Sequence, residues 1–331
     1  MKKNVIKLIA VALCLVTVLT LALASCAKKP DPETEIKIYA LNGTTALGMA
    51  QMIQNAKNDT DTMNYNITLH ASADAITGAI VSGECAIAAL PTNAAANLYK
   101  KSEGKIQLLA LNTLGVLYLL DSENTVSTLN DLKGKTVFLP GAGSNPEFIT
   151  AALLESAGLK VGEDVILDTT SYTSPDALQE AIIAGKATLA VLPEPKVTVV
   201  TTNKNTVSVA LNLTEEWEKL NGADTLVQGC LVVNKAFAEE HPVEVAQFLE
   251  DYEASVQYIK EGSEDAINMI VDAGILPKAA IAKKALPNCN LCFISGEAMK
   301  PLMTKFCEVL HEQNAKAVAA VPDDGFYYVA K

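Results

Sequence analysis

The sequence predicts an α/β protein built from two lobes. Signals for β-strands and α-helices alternate along most of the chain, and this alternation is typical of parallel sheets covered by helices on both faces. It begins near Glu35 and begins again after Lys135, so we expect two sheets. The length of 331 residues points the same way, because a single hydrophobic core rarely keeps growing beyond about 250–300 residues.

The first alternation contains four predicted strands and three predicted helices. The strands are short apolar runs at 36–41, 67–70, 86–90 and 106–112. The helices are identified by apolar residues at helical spacing and by turn or capping residues at their ends. They lie at about 47–53, at 74–82 and directly after 91–93.

The second alternation repeats this order, and a helical region follows it. Strands are predicted at 136–140, 165–168, 189–192 and 207–211. Helices are predicted after 141–146, at 175–184 and after 193–195. From about residue 241 the apolar spacing is helical, with helices predicted at 242–260, 263–273, 278–285 and 296–313.

Two apolar extended stretches are candidates for crossing between the lobes. They lie at 115–120 and 227–233. If both cross, lobe 1 consists of 35–115 together with 228–331, and lobe 2 consists of 116–227. Two lobes joined in this way can close on a ligand by hinge motion.

The N-terminus has the pattern of a secretion signal. Three lysines precede a nearly continuous apolar run at 8–23, and small residues follow the run. This order is typical of a signal peptide, here predicted at 1–25. The tetrad LASC resembles the lipobox of bacterial lipoproteins, which implies a lipid on Cys26 and a polar tether at 26–34. An uncleaved transmembrane anchor is the alternative, although the run is near the lower length limit for a span.

Composition restricts the class of ligand. The formal net charge is −12, and all 26 basic residues are lysine. Nucleic acid is disfavoured as a partner, because its binding depends on neutralising phosphates. Arginine is the usual bidentate partner of carboxylate and phosphate groups. An anion bound here would therefore be held by lysine, backbone N–H groups or hydroxyls.

Four longer segments carry a family resemblance, together with the LASC tetrad. They are DLKGKTV at 131–137, LLESAGLKVGEDV at 153–165, DALQEAIIAGKATLAVLPEP at 176–195 and HPVEVAQFLEDYEASVQYI at 241–259. Together they resemble the substrate-binding proteins of bacterial ABC importers, in the nitrate/sulfonate/taurine and thiamine-pyrimidine-precursor branch. The resemblance covers nearly all of the chain after the signal.

The resemblance implies a fold, a function and partners. The expected fold is a two-lobe periplasmic-binding-protein-like fold of type 2, with two crossover strands and a C-terminal helical segment. The expected function is capture of a small organic solute in the cleft between the lobes, without catalysis and without a cofactor or metal. The expected partners are an ABC permease with its ATPase, for a monomer that is lipid-anchored at the extracytoplasmic face of the cell membrane.

The candidate ligand-binding residues come from loops that follow predicted strands. Ligands of open α/β sheets bind beyond the carboxyl ends of the strands, and helix N-termini there favour negative or hydrogen-bond-accepting groups. Capping of the following helices, without ligand contact, is the alternative for each of them. The candidates are Gly43, Thr44, Thr45, Thr92, Asn93, Asn112, Thr113, Gly143, Ser144, Asn145 and Glu194.

Glu194 indicates the chemistry of the ligand. An acidic side chain in a cleft prefers an ammonium or a ring N–H group, although capping of its own helix is the alternative. Together with the lack of arginine, it favours an organic solute with donor groups, zwitterionic or heterocyclic, over a small inorganic anion. Phe148 and Tyr172 are candidates to stack on a flat ligand, with ordinary packing as the alternative.

The sequence gives little support to an enzyme. His70, His241 and His311 have no metal-ligand spacing, and CNLC at 289–292 is interpreted as a pair of partly buried thiols. A disulfide-like staple is the alternative. The pyrimidine synthases that share the fold use a cysteine-rich motif, which CNLC does not match. A lipoprotein of the same fold that presents its ligand to a sensor or adhesion partner stays open as a second class.

Overall fold

The computed structural model describes residues 29–330, which form two mixed sheets surrounded by helices. The predicted signal peptide and Cys26 lie outside the described residues. We call the six-stranded sheet with its helices lobe 1, and the five-stranded sheet with its helices lobe 2. The boundaries predicted at 115/116 and 227/228 stay an interpretation.

Lobe 1 contains the first and the last strand of the described chain. Its strand order is β11-β4-β10-β3-β1-β2. Strand β1 pairs in parallel with β2 and β3, whereas β10 runs antiparallel to β3 and β4, and β11 runs antiparallel to β4. The strands are β1 (Glu35–Leu41), β2 (Asn64–His70), β3 (Ile87–Pro91), β4 (Ile106–Thr113), β10 (Gly229–Asn234) and β11 (Leu291–Ser295).

Lobe 2 has the strand order β7-β6-β8-β5-β9. Strand β6 pairs in parallel with β7 and β8, whereas β5 runs antiparallel to β8 and β9. The sheets are therefore mixed rather than purely parallel, because a strand that enters each lobe from the other reverses direction. The strands are β5 (Leu117–Asp121), β6 (Thr136–Phe138), β7 (Ile166–Asp168), β8 (Leu189–Pro193) and β9 (Ser208–Asn212).

Twelve α-helices are found among the described residues, and three of them begin at the residue that follows a strand. In order they are α1 (Ala50–Lys57), α2 (Ala73–Ser82), α3 (Thr92–Lys101), α4 (Asn145–Ser156), α5 (Pro175–Ile183), α6 (Lys196–Asn203), α7 (Leu213–Asn221), α8 (Lys235–Glu240), α9 (Pro242–Lys260), α10 (Glu264–Asp272), α11 (Ala279–Ala285) and α12 (Met299–Gln313). Short 3-10 segments add Thr44–Met49, Leu129–Leu132, Leu286–Asn288, Gly296–Ala298 and Asp324–Phe326. None of the described helices is long and apolar enough to cross a membrane.

One hydrophobic core runs through both lobes. It includes Leu108 of β4, Leu153 of α4 and Phe306 of α12. Helix α12 packs against α4 of lobe 2 and α3 of lobe 1. The C-terminal helix therefore holds the two lobes together from outside the sheets. A second core lies in lobe 1 and a third in lobe 2.

Asp121 stabilises the loop that follows β5. Its side chain is 1% exposed and accepts hydrogen bonds from the N–H groups of Glu123 (2.8 Å), Thr125 (2.6 Å) and Val126 (3.0 Å). Burial opposes the charge, but these bonds together lower the pKa of Asp121 below its ordinary value. The ionised side chain is therefore the form that the fold favours.

We expect Asp121→Asn to lower the free energy of unfolding at pH 7 by about 1.5–3 kcal/mol, because an amide cannot accept all of these bonds. A carboxyl with a lowered native pKa stabilises above its unfolded pKa of about 3.9, and loses that effect as the pH falls through the native pKa. The gap between wild type and variant should therefore shrink below pH ~4. Urea titrations at several pH values measure it, with the exposed Glu155→Gln in the same lobe as control. A gap that does not depend on pH would contradict the prediction.

Candidate ligand-binding cleft

A cavity of about 410 Å³ lies between the two sheets. Its size falls in the range of about 300–1,000 Å³ that is typical of small-molecule sites. Lobe 1 contributes residues after β1 and β3, and lobe 2 contributes residues after β6 and β8. The wall is formed by Leu41, Asn42, Gly43, Thr44, Thr45, Ala73, Pro91, Asn93, Ala94, Val116, Leu117, Pro140, Gly143, Ser144, Asn145, Pro146, Pro175, Pro193, Glu194, Pro195, Lys196 and Gln228.

Eight of the candidate residues predicted from the sequence lie on this wall. They come from four separate loops, which the two sheets bring to one place. Their contact with a ligand stays a prediction. The eight are Gly43, Thr44, Thr45, Asn93, Gly143, Ser144, Asn145 and Glu194.

The other three candidates, Thr92, Asn112 and Thr113, lie behind the wall. Their side chains are turned into the protein, where Thr92 Oγ1 donates to the carbonyl of Val227 at 2.7 Å. Asn112 Nδ2 donates to the carbonyl of Thr45 at 3.0 Å, and Thr113 Oγ1 donates to Asn112 Oδ1 at 3.1 Å. These residues are fully buried and support the cleft from below rather than line it.

Glu194 uses its carboxylate within the protein. Its Oε2 accepts the backbone N–H of Thr198 at 3.0 Å, and its Oε1 accepts the Thr198 hydroxyl at 2.9 Å. Burial raises the pKa of Glu194, and the bonds from Thr198 oppose that rise. These contacts are those of a helix cap, which is the alternative role predicted for Glu194. Part of the side chain nevertheless faces the cleft.

Two buried amides face the cleft from opposite lobes. Asn93 lies in the first turn of α3 and is 7% exposed, and Asn145 begins α4 and is 8% exposed. Asn145 Oδ1 is buried without a hydrogen-bond partner. A buried polar atom without a partner costs roughly 1–3 kcal/mol, and a donor that reached this oxygen would remove that cost.

Residues of the two crossing segments form the floor of the cleft, and we did not predict them as site residues. Val116 and Leu117 come from the first crossing, and Gln228 from the second. Gln228 Oε1 accepts the N–H of Val116 at 2.6 Å, so the two segments are joined directly. The sequence predicts both segments as extended connections between the lobes. A cleft between two lobes has such connections as its floor.

The aromatic candidates do not line the cleft. Phe148 is 5% exposed within the core, and Tyr172 packs edge-on against Phe138 with ring centroids 5.5 Å apart. Ordinary packing accounts for both rings. Neither ring is therefore placed to stack on a ligand in this cleft.

The described residues hold no metal centre and no disulfide. No group of three His, Cys, Asp or Glu side chains within 29–330 could hold a metal ion. Cys85, Cys230, Cys289, Cys292 and Cys307 are free and buried, and burial raises the pKa of each thiol. CNLC was interpreted as partly buried thiols; both are free, and they are more deeply buried than that interpretation implies.

A second cavity of about 480 Å³ lies on lobe 1, outside the space between the sheets. It is lined by residues of α9, α10 and α11 and of the turn after α11, including Lys260, Lys283 and Asn290. Lobe 2 contributes no residue to its lining, so closing of the lobes would not enclose a ligand there. The cleft between the sheets is therefore the candidate site.

Several solved structures are similar to this one in fold. An ABC transporter structure from Parabacteroides distasonis has a TM-score of 0.74 and 24% identity, covering 91% of this chain and 100% of that one. The periplasmic aliphatic sulphonate binding protein SsuA of Escherichia coli has a TM-score of 0.74 and 16% identity, covering 91% and 94%. The alkanesulfonate-binding protein SsuA of Xanthomonas axonopodis pv. citri, bound to MOPS, has a TM-score of 0.67 and 14% identity, covering 90% and 96%. These likenesses confirm the predicted two-lobe fold.

The family comparison concerns the middle of the chain. Residues 105–266 match the model of the family described as NMT1/THI5 like. This segment, just under half of the chain, is similar to that family. It contains all of the five-stranded sheet and both crossing segments, and the resemblance stated from the sequence motifs is thereby confirmed. The expectation of a binding protein rather than an enzyme agrees with the descriptions of the two sulphonate-binding structures. The search of curated proteins found no significant sequence match to this chain.

Proposed function

We propose that this chain is an extracytoplasmic binding protein that captures a small organic solute and delivers it to an ABC-type importer. The observation that carries the proposal is the cleft between the sheets, to whose wall both lobes contribute loops that follow strands. The similar structures supply the link to import, because they are described as an ABC transporter and as sulphonate-binding proteins.

The geometry suits binding by closure of the lobes. The chain passes between the sheets from β4 to β5 and again before β10. A ligand that contacts both lobes favours the closed state by its higher affinity for that state. A permease can then distinguish loaded from empty protein by the relative position of the lobes. The proposed partners are this permease and its ATPase.

Native mass spectrometry tests the binding proposal. The full chain, purified without denaturation in a mild detergent, is exposed to a small-molecule extract, and any adduct is identified by fragmentation. We expect a specific adduct on the wild type and its loss in Ala94→Trp, because the added indole fills the cleft. Leu220→Trp, at a side chain that is 55% exposed on lobe 2, is the control and should keep the adduct. No adduct on wild type, or equal adducts on all three proteins, would contradict the proposal.

The lipid anchor is a separate part of the proposal. We expect the intact mass of the chain extracted from membranes to show loss of 1–25 and an added lipid on Cys26. An anchor of this kind needs the cysteine at the new N-terminus, whereas an uncleaved transmembrane anchor keeps the whole sequence. The full unmodified mass of the 331-residue chain would show that the signal is not processed as we propose.

A further inference from the structure

We propose that the solute held in this cleft is electrically neutral, and that it presents hydrogen-bond donors and acceptors on a compact, largely apolar body. Amides, lactams and uncharged heterocycles have this chemistry. The inference rests on the proposed function and goes beyond it by assigning the charge class of the ligand. Three features of the cleft support it: N–H groups of lobe 2 that are occupied by carboxylates, a proline-rich wall, and two buried amide side chains.

Two backbone N–H groups at helix starts of lobe 2 are already bound to the protein's own carboxylates. The N–H of Gly143, in the loop before α4, donates to Glu147 Oε2 at 2.5 Å. At the start of α6, the N–H of Thr198 donates to Glu194. A free helix N-terminus favours an anion, but at these two helices a carboxylate supplies the negative charge from within.

The cationic charge on the wall is also neutralised. Lys196 is the one basic side chain among the described residues of the wall, and it forms an ion pair with Asp176. The net charge of −12 adds a general repulsion of anions. An anionic solute would therefore lose its hydration without gaining a free opposite charge.

Proline removes further donors from the wall. A proline residue has no backbone N–H group, so each one on the wall offers an apolar ring and a carbonyl but no donor. Such a surface suits the body of an apolar or weakly polar solute, not the oxygens of a sulfonate. The wall contains six of them: Pro91, Pro140, Pro146, Pro175, Pro193 and Pro195.

Two amide side chains supply the polar recognition. Asn93 and Asn145 face the cleft from different lobes, both are more than nine-tenths buried, and Asn145 Oδ1 has no partner. A carboxamide carries two donor hydrogens and an acceptor oxygen without net charge. Two such groups on opposite walls match a neutral solute with donor and acceptor edges, and binding both of them would draw the lobes together.

Calorimetry with matched neutral and anionic compounds tests the inference. The full chain in mild detergent is titrated with nicotinamide and nicotinate, with uracil and its 6-carboxylate, and with propionamide and ethanesulfonate. We expect at least one neutral member to bind ten-fold or more tightly than its anionic counterpart. Asn145→Leu and Asn93→Leu should each weaken that binding at least ten-fold. Asn203→Leu, which replaces an exposed asparagine bonded within α6, should leave it unchanged.

A gain-of-binding variant separates recognition from stability. Glu147→Gln keeps an acceptor for the Gly143 N–H but removes the charge, so affinity for the anionic members should rise several-fold. Tighter binding of the anionic members by wild type would overturn the inference and leave the proposed function standing. Binding of no compound would also overturn the inference. The mass-spectrometry experiment with Ala94→Trp then shows separately whether the proposed function survives.

Discussion

Replacing Trp217 by alanine is expected to lower the free energy of unfolding by about 3–5 kcal/mol, the usual cost of removing a buried large aromatic side chain. Trp217 lies in α7, is fully buried, and donates its indole N–H to Thr225 Oγ1 at 3.1 Å. Its ring lies 6.0 Å from that of Phe306, centroid to centroid. Because Phe306 belongs to α12, the substitution removes a contact between lobe 2 and the C-terminal helix.

Circular dichroism during urea unfolding measures this effect, since Trp217 is the chain's one tryptophan and its fluorescence is lost with it. Leu220→Ala, in the same helix at a side chain that is 55% exposed, is the control and should change stability by less than about 0.5 kcal/mol. Equal effects of the two substitutions would show that the indole is not packed between α7 and α12.

Gly229→Ala is expected to lower the free energy of unfolding by about 1–3 kcal/mol and to weaken solute binding as well. A Cβ atom at Gly229 would lie 2.6 Å from Asn112 Oδ1, 2.8 Å from Thr45 Cγ2 and 2.9 Å from Thr113 Cβ. None of these side chains can move freely, because each is held by a hydrogen bond beneath the cleft. Relief of the overlap would displace Thr45, which lines the cleft.

Gly78→Ala is the matched control for this substitution. Gly78 lies in α2, where a Cβ atom would meet no atom within 4 Å. The same chemical change should therefore stabilise the protein by about 0.5–1 kcal/mol through helix propensity. Thermal unfolding and calorimetry with a bound solute measure both effects. A Gly229→Ala protein as stable as wild type would contradict the packing described beneath the cleft.

Much of the fold could be predicted because strands and helices leave local patterns. The strands at 36–41 and 106–112 were predicted to within about a residue of β1 and β4. Strand β11 was missed, since it begins inside the CNLC segment and its pairing with β4 joins residues far apart in the chain. The position of α12 against both lobes is likewise a tertiary contact, which spacing within a helix does not reveal.

The loops of the candidate site could be predicted, but which of their side chains face the cleft could not. The carboxyl-end rule identified the loops that carry Asn93, Asn145 and Glu194. It could not show that Asn112 is turned into the protein, because that depends on hydrogen bonding to Thr45. It also could not show that the Glu194 carboxylate accepts a hydrogen bond from the Thr198 N–H, since a helix cap and a ligand contact use the same residue types.

A crystal structure of the chain with its identified solute would show directly where and how the solute binds. We expect the solute to lie between the two sheets, within hydrogen-bond distance of Asn93 and Asn145, with no carboxylate or sulfonate group on it. Binding in the cavity beside Lys260 and Lys283, with the cleft left open, would contradict it.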